Sequence, residues 1–382
     1  MIRSAERLNS IQEYYFSQKL REVKELISKG NPVINMGIGS PDMVPSDQVI
    51  QAIQAALFDT KAHEYQSYQG LLELREAISA FYHKYFNVVI DPNNEVLPLM
   101  GSKEGIMHIS MAFLNPGDEV LIPNPGYPTY GAVTELVQAK PLFYDLLPEN
   151  NWQPDFETLE QQDLSKVKLM WVCYPHMPTG AMASVGTWEK LIAFGKKHNI
   201  LIVNDNPYSF ILNQKTTSIL SVNGAFETAI ELNSLSKSFN IAGWRVGMVL
   251  GKATFVSAIL KVKSNMDSGM FYGIQKGAIA ALKLDVTWFE SINCVYQYRK
   301  QLIIELLEKL QCTCEKDSVG LFVWAKLPRH IANAESFVDE ILYRHHIFIT
   351  PGTVFGSNGE GYIRFSLCVD EKNIKEAIKR IK

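Results

Sequence analysis

Between about residue 45 and residue 285 the chain alternates short apolar, β-branched runs with segments whose apolar residues recur at helical spacing. That rhythm constrains the fold more than any other feature. EVLIP (119–123), VKLMWVCY (167–174), ILIVND (200–205), TAIELNS (228–234) and GMVLG (247–251) read as buried strands. Between them, KEGIMHISMAFL and TWEKLIAFGKKH read as amphipathic helices. A strand apolar on both sides needs cover on both, and strands separated by helices run parallel. The expected fold class is therefore α/β: a three-layer α/β/α large domain with a mostly parallel sheet, over residues 45–285.

After residue 285 the texture changes. One long helical stretch, WFESINCVYQYRKQLIIELLEKL, is followed by strand-like LFVWAKL, a helix near SFVDEILYRHH, strands IFIT and YIRFSLCV, and a last helix. This predicts a smaller α+β domain. The helical N-terminal segment, up to about Lys29, has no strand partner of its own and is expected to pack on that domain or on a neighbouring subunit. The smaller domain is therefore drawn from residues 1–44 and 286–382.

The 382 residues are 47% hydrophobic and 20% charged, enough apolar material for a large core and a second, smaller one. A formal net charge of -3 supplies no basic field for nucleic acid or an anionic membrane, so the expected ligand is small. The five cysteines are odd in number and mostly set in apolar segments, which fits a reducing compartment. Cys312 and Cys314 form a CxC without a second Cys/His pair nearby, so no metal site is expected. The N-terminus lacks a signal-peptide pattern, and no apolar run is long enough to span a bilayer. A cytoplasmic location is expected.

Ligands in open α/β sheets lie beyond the carboxyl ends of the strands. Those ends carry NPGY, YPHMPTG, NDNPY and SLSK. In ELNSLSKSFNIAGWRVG (231–247), Lys237 sits among Ser234, Ser236 and small residues, with Arg245 eight positions on. A lysine whose pKa is lowered by burial or nearby positive charge can form a Schiff base with a carbonyl. The hydroxyls and the planar guanidinium suit a phosphate. The plain alternative is a surface lysine and a structural arginine.

SLSKSFNIAGWRVG resembles the cofactor-lysine signature of the class I and II aminotransferases, the fold-type I enzymes that use pyridoxal 5'-phosphate (PLP). The likeness extends in order from GIGSPD near the start to GYIRFSL near the end. It implies that Lys237 carries the cofactor as a Schiff base. Asp205, in NDNPY, takes the place of the carboxylate on the pyridinium nitrogen, which keeps the ring an electron sink. Tyr208 matches the phenol on the ring oxygen, and Tyr127, in NPGYPTY, the aromatic that stacks on the ring. Gly101, Ser102 and Lys103 begin a helix where the family seats the phosphate, and a helix N-terminus suits an anion. Ser234, Ser236 and Arg245 join that seat.

Tyr65 matches a tyrosine that reaches the partner subunit's phosphate, which implies a homodimer with shared active sites. Arg364, in GYIRFSL, matches the arginine that grips the substrate α-carboxylate, and Gly39, in GIGSPD, the backbone close to it. The implied reaction is two half-reactions, in which an amino acid yields its 2-oxo acid and a second 2-oxo acid is aminated. Lys237 moves the proton as general base and then acid.

The family's version of YPHMPTG usually ends Asn-Pro-Thr-Gly, and that Asn donates to the cofactor's ring oxygen. Here Met177 holds its place, and a thioether donates nothing. One donor is lost and Tyr208 is kept, so the lysine's Schiff base is expected to stay protonated to higher pH. His176 and Asn206 are candidates for a replacement donor.

Aspartate enzymes of one subgroup use a second arginine, and KSNMDSGMFYGIQKGAIAAL contains none. The motifs are similar to the branch holding alanine and LL-diaminopimelate aminotransferases and some aspartate enzymes. Asp267 either faces a distal amino group or is structural. A PLP-dependent C–S β-lyase would use the same residues. A non-catalytic regulator on this fold would need an added DNA-binding domain, for which no residues are spare.

Overall fold

The computed structural model describes residues 2–9, 11, 13 and 15–381. Its strands are β1 (Ile34–Asn35), β2 (Val96–Leu99), β3 (Glu119–Asn124), β4 (Lys140–Asp145), β5 (Val167–Val172), β6 (Leu201–Asp205), β7 (Ala229–Ser234), β8 (Gly247–Gly251), β9 (Thr313–Cys314), β10 (Phe322–Lys326), β11 (Ile347–Phe348), β12 (Thr350–Pro351) and β13 (Tyr362–Ser366). Seven of them form one sheet in the order β2-β8-β7-β6-β5-β3-β4. Only β8 runs antiparallel to its neighbours; the other pairings are parallel. The five strands read from sequence are all present, three of them shorter by one or two residues. β2 and β4, the two edges, were not anticipated.

Consecutive strand residues feed different cores, as a period of two requires. Leu97, Val120, Leu169, Val203, Ile230 and Val249 pack in one cluster, whereas Val96, Leu121, Met170, Ile202, Ala229 and Leu250 pack in the other. Both faces of the sheet are therefore covered. The helices Ser102–Phe113 and Ala253–Lys263 serve the first cluster, and Leu72–Phe86, Val185–His198 and Tyr272–Leu282 the second.

Local chemistry sets the helix starts. Ser184 accepts from Thr187 N at 3.0 Å, Asp285 from Thr287 N at 3.0 Å and Asp370 from Asn373 N at 2.8 Å, each satisfying a donor the first turn leaves open. Helix Val185–His198 stops where Asn199 turns to φ 54°, a conformation asparagine tolerates better than most residues.

A second, antiparallel sheet has the order β12-β13-β10-β9, and β1 pairs in parallel with β11. The long helix Val286–Lys309 leads into it. The N-terminal helix Tyr15–Ser28 docks here: Val23 packs with Leu342 and Phe348, and Lys19 donates to Asp339 at 2.8 Å. Among the described residues, no helix is long and apolar enough to cross a membrane.

Candidate active site

Four parallel strands and the second sheet deliver side chains to one cavity of ≈ 420 Å³. β6 ends on Asp205, and the chain past it supplies Tyr208. β7 ends on Ser234, whose hydroxyl accepts from Ser236 N at 3.1 Å, capping the short helix Leu235–Ser238 that presents Lys237. β3 leads to Tyr127, and β2 to Ser102 and Lys103 at the start of helix Ser102–Phe113. Arg364 comes from β13, and Gly39 from the segment after β1. Met177 and Arg245 complete the predicted residues that line the cavity.

The anion end is shaped by small residues. Gly101 has φ +95°, and a Cβ there would overlap the Arg245 guanidinium. A Cβ on Gly247 would fall 2.6 Å from Ser102 N. A side chain at Gly101 would displace the guanidinium and one at Gly247 would press on the first turn of the helix, whose N-terminus presents a positive dipole end. Ser234 donates to Ser236 Oγ at 2.8 Å, while Arg245 Nη1 donates to Ala242 O at 2.9 Å.

At the opposite end, Asp205 is 5% exposed. Tyr130 donates to its Oδ2 at 2.9 Å, and Oδ1 is buried without a hydrogen-bond partner. Burial pushes the carboxyl up to about 7, against the pull of the Tyr130 bond. Such an oxygen calls for a cationic N–H. Tyr127 meets Tyr130 edge-on, with centroids 5.6 Å apart, on the cavity wall. Burial raises the Tyr208 phenol well above its ordinary value, so at neutral pH it is a hydrogen-bond donor. Cys173 also lines this end, its thiol raised by burial.

Lys237 Nζ donates to Gly39 O at 2.5 Å. Burial lowers its pKa, and the Arg364 and Arg245 charges lower it further, while the Cys368 thiol opposes them. A lysine so placed is prone to lose its proton and act as nucleophile and base. Arg364 is buried, with its guanidinium 3.9 Å from the Phe322 ring centroid and 4.5 Å from that of Phe355. Its Nη2 donates to Gly37 O at 2.7 Å, and its Nη1 to Met177 Sδ at 3.5 Å. Phe16, Leu20 and Ile38 supply apolar wall around it.

Several sequence expectations meet a different geometry. Gly101 shapes the seat but does not itself line the cavity; Tyr65, expected at a partner's site and not at this one, lies outside it, 92% exposed. Neither candidate replacement donor reaches the cavity. His176 shares a hydrogen bond through Nδ1 with Thr179 Oγ1 at 2.8 Å, and burial drives its pKa down to about 3. Asn206 donates to Thr217 O and Glu231 Oε1. Both are held inside the scaffold by local bonds. Met177, read from sequence only against the ring oxygen, contacts Arg364.

Asp267 lies outside the cavity lining: its Oδ1 accepts from Lys263 Nζ at 2.9 Å and from Gly269 N at 2.8 Å, while its Oδ2 is buried without a hydrogen-bond partner. Glu104, His108 and Asp267 bring ligating atoms within 4.8 Å of one another, but that cluster already contains the buried Lys263 ammonium as its cation. Tyr130, Cys173, Phe16 and Leu20 were missed as site residues. Only Tyr130 carried a signal, as the second tyrosine of NPGYPTY.

The residues present fit a pyridoxal phosphate. An unpartnered buried carboxylate oxygen lies at one end, a helix N-terminus bordered by glycines at the other, and a depressed lysine on the wall between. Fold and site together define a fold-type I PLP-dependent transferase. The model of the family "Aminotransferase class I and II" matches residues 31–381, and the chain belongs to that family. It is 40% identical over 384 residues to the LL-diaminopimelate aminotransferase of Aquifex aeolicus, covering 100% of this chain and 99% of that one. The enzyme of the same name from Nitratidesulfovibrio vulgaris strain Miyazaki F is 38% identical, over 99% of this chain and 98% of its own. Among solved structures, apo BacF from Bacillus subtilis superposes with a TM-score of 0.96 at 34% identity, covering 100% of this chain and 98% of that one. The protein is an aminotransferase acting on amino and 2-oxo acids.

Proposed function

We propose that this chain binds PLP in the cavity around Lys237 and transfers the amino group of an L-amino acid with an apolar side chain to a 2-oxo acid. The observation that carries the site assignment is the buried Asp205 Oδ1, left without a partner in the same cavity as Lys237 and Arg364. When bound, the cofactor supplies an electron sink for the charge that develops at the substrate α-carbon. Asp205 holds the ring's N–H, and Tyr208 donates to the ring oxygen. Ser102, Lys103, Ser234, Ser236 and Arg245 seat the phosphate. Arg364 takes the α-carboxylate in a bidentate pair. Lys237 Nζ, released from Gly39 O, takes the α-proton and returns it on the cofactor side.

The apolar-donor reading rests on the wall beside Arg364, where Phe16, Leu20, Ile38, Phe322 and Phe355 gather. Asp205 is the one carboxylate among the described lining residues, so this chain's own cavity offers no acid to a distal ammonium. The second reading, LL-diaminopimelate as donor, is favoured by the full-length relatives of that name. Such a donor would need an acid from a partner subunit. We further propose a cytoplasmic homodimer in which Tyr65 reaches the partner's site, with residues 45–285 as the cofactor domain and 1–44 plus 286–382 as the smaller one.

Single-turnover reaction of the holoenzyme with L-phenylalanine, L-leucine, L-alanine and LL-diaminopimelate tests both readings by amination of the cofactor. Apolar donors are expected to react fastest. Lys237→Ala is expected to abolish the visible absorbance of the lysine-bound cofactor and nearly all turnover. An active Lys237→Ala protein would overturn the assignment, and release of ammonia in place of transfer would identify an eliminating enzyme instead.

A further inference from the structure

Arg299 lies on helix Val286–Lys309, outside the cavity lining, and is 4% exposed. Its guanidinium makes four bonds. Nη1 and Nη2 donate to Oδ1 and Oδ2 of Asp42 at 2.6 and 2.9 Å. Nε donates to Glu371 Oε1 at 2.7 Å, and Nη1 also to Leu367 O at 3.0 Å. Asp42 stands three residues past Gly39, and Leu367 three residues past Arg364. One buried fork therefore grips both chain segments that border the carboxylate end of the cavity.

Those segments are also joined further upstream. Ser366 N donates to Met36 O at 2.8 Å, and Arg364 to Gly37 O. Downstream of Gly37 the ties are sparser. Gly39 O accepts from Lys237, and Asp42 holds Arg299. Lys237 has to leave Gly39 O in order to act on a substrate. From that moment, the bidentate Asp42–Arg299 pair is the charged hold on the loop that carries Gly39.

We propose that Arg299 is a positioning residue for the carboxylate subsite: through Asp42 and Leu367 it sets the distance between Gly39 and Arg364, and so the affinity for the α-carboxylate of donor and acceptor. It touches neither substrate nor cofactor. A planar fork bonded on three edges cannot be replaced by a lysine point charge, so Arg299→Lys is already a disruptive change. The inference rests on the amino-transfer reading of the site.

The test uses holoenzymes of the wild type, Arg299→Lys, Arg299→Gln and Asp42→Asn; Asp42 is partly exposed, so its variant tests the pair even where an Arg299 variant fails to fold. Single turnovers with L-phenylalanine and with phenethylamine are paired with equilibrium titration by 3-phenylpropanoate, a carboxylate without an amine. In the variants, the dissociation constants of L-phenylalanine and 3-phenylpropanoate are expected to rise about tenfold or more, with the limiting rate changed by less than roughly threefold and phenethylamine unaffected. Wild-type affinity for both carboxylates, or an equal loss with phenethylamine, overturns the inference alone. A wild type that binds 3-phenylpropanoate but aminates its cofactor with none of L-phenylalanine, L-leucine, L-alanine and LL-diaminopimelate overturns the amino-transfer reading on which it rests.

Discussion

Tyr130 donates its phenolic hydrogen to Asp205 Oδ2 at 2.9 Å, while the other oxygen of that carboxylate is buried without a hydrogen-bond partner, in a residue that lines the cavity. The phenol is itself immobilised, its ring stacked on Trp171 at 4.8 Å with planes 4° apart. One oxygen is thus satisfied by the protein and the other is left without a partner at the cavity wall. A carboxyl pushed up by burial is returned to its anionic form when a cationic N–H arrives, so the site is tuned to bind such a group.

Removing the phenol tests that arrangement. Tyr130→Phe keeps the stack on Trp171 and deletes the one protein donor to Asp205 among the described residues. A bond to a charged group contributes roughly 1.5–3 kcal/mol, so PLP is expected to bind about tenfold or more weakly. Titrating the apoprotein with PLP measures this. An unchanged dissociation constant would show that Tyr130 does not set the Asp205 charge.

The raised carboxyl also makes the apoprotein pH-sensitive. With a folded pKa near 7 against 3.8 unfolded, the native state holds the proton that the unfolded state has lost. The Asp205 contribution to stability is then greatest below pH 4, falls as pH rises towards 7 and levels off above it. The full difference corresponds to roughly 4 kcal/mol as an upper bound. Thermal unfolding of the apoprotein is expected to show the wild type losing stability relative to Asp205→Asn as pH rises through that window. Parallel pH curves for wild type and variant would refute the shift.

Behind Asp205, the fully buried Glu231 gathers five donors. Oε1 accepts from Tyr82 at 3.0 Å and Asn206 at 3.1 Å; Oε2 accepts from Ser218 at 2.8 Å, Ile219 N at 3.1 Å and Asn204 at 3.3 Å. Glu231→Gln would turn an N–H₂ towards two or three of those donors. The expected cost is about 3 kcal/mol, read as a lower denaturant midpoint at unchanged slope. Because Asn206 follows Asp205 directly, PLP affinity is expected to fall as well. A variant as stable as the wild type would mean the network is redundant.

The interior of the fold was legible because β3, β5, β6, β7 and β8 are apolar on both faces, a pattern few other arrangements accommodate. β2 and β4 escaped because they are the sheet's edges. Each contains a proline, Pro98 or Pro141, which breaks the pattern of a β-branched run; β2 is only four residues long though fully buried, and β4 leaves Phe143 57% exposed. In the site, Lys237 and Asp205 could be found because strand ends are where this architecture places chemistry. Tyr130 could not be paired with Asp205, since the bond spans 75 residues and only folding joins them. Phe16 and Leu20 reach the cavity from a helix whose sequence shows an ordinary apolar face.

Met177 shows the same limit in a single side chain, and its consequence is measurable. Sequence set it against a ring oxygen, whereas folding sets its sulfur 3.5 Å from Arg364 Nη1, across 187 residues. A thioether is a weak acceptor, so an incoming carboxylate displaces it from that N–H at little cost. Asparagine there would also present an N–H₂, able to donate to the carboxylate or to the cofactor's ring oxygen. A neutral hydrogen bond adds roughly 0.5–1.5 kcal/mol, so Met177→Asn is expected to tighten carboxylate binding by about two- to tenfold. A donor added to a partly negative oxygen favours its anionic form, so the visible pH titration of the bound cofactor is expected to move to lower pH. Met177→Leu keeps the volume without the sulfur and is expected to leave that titration in place. If asparagine also leaves it unmoved, residue 177 does not reach the ring oxygen, and its role is confined to the Arg364 fork.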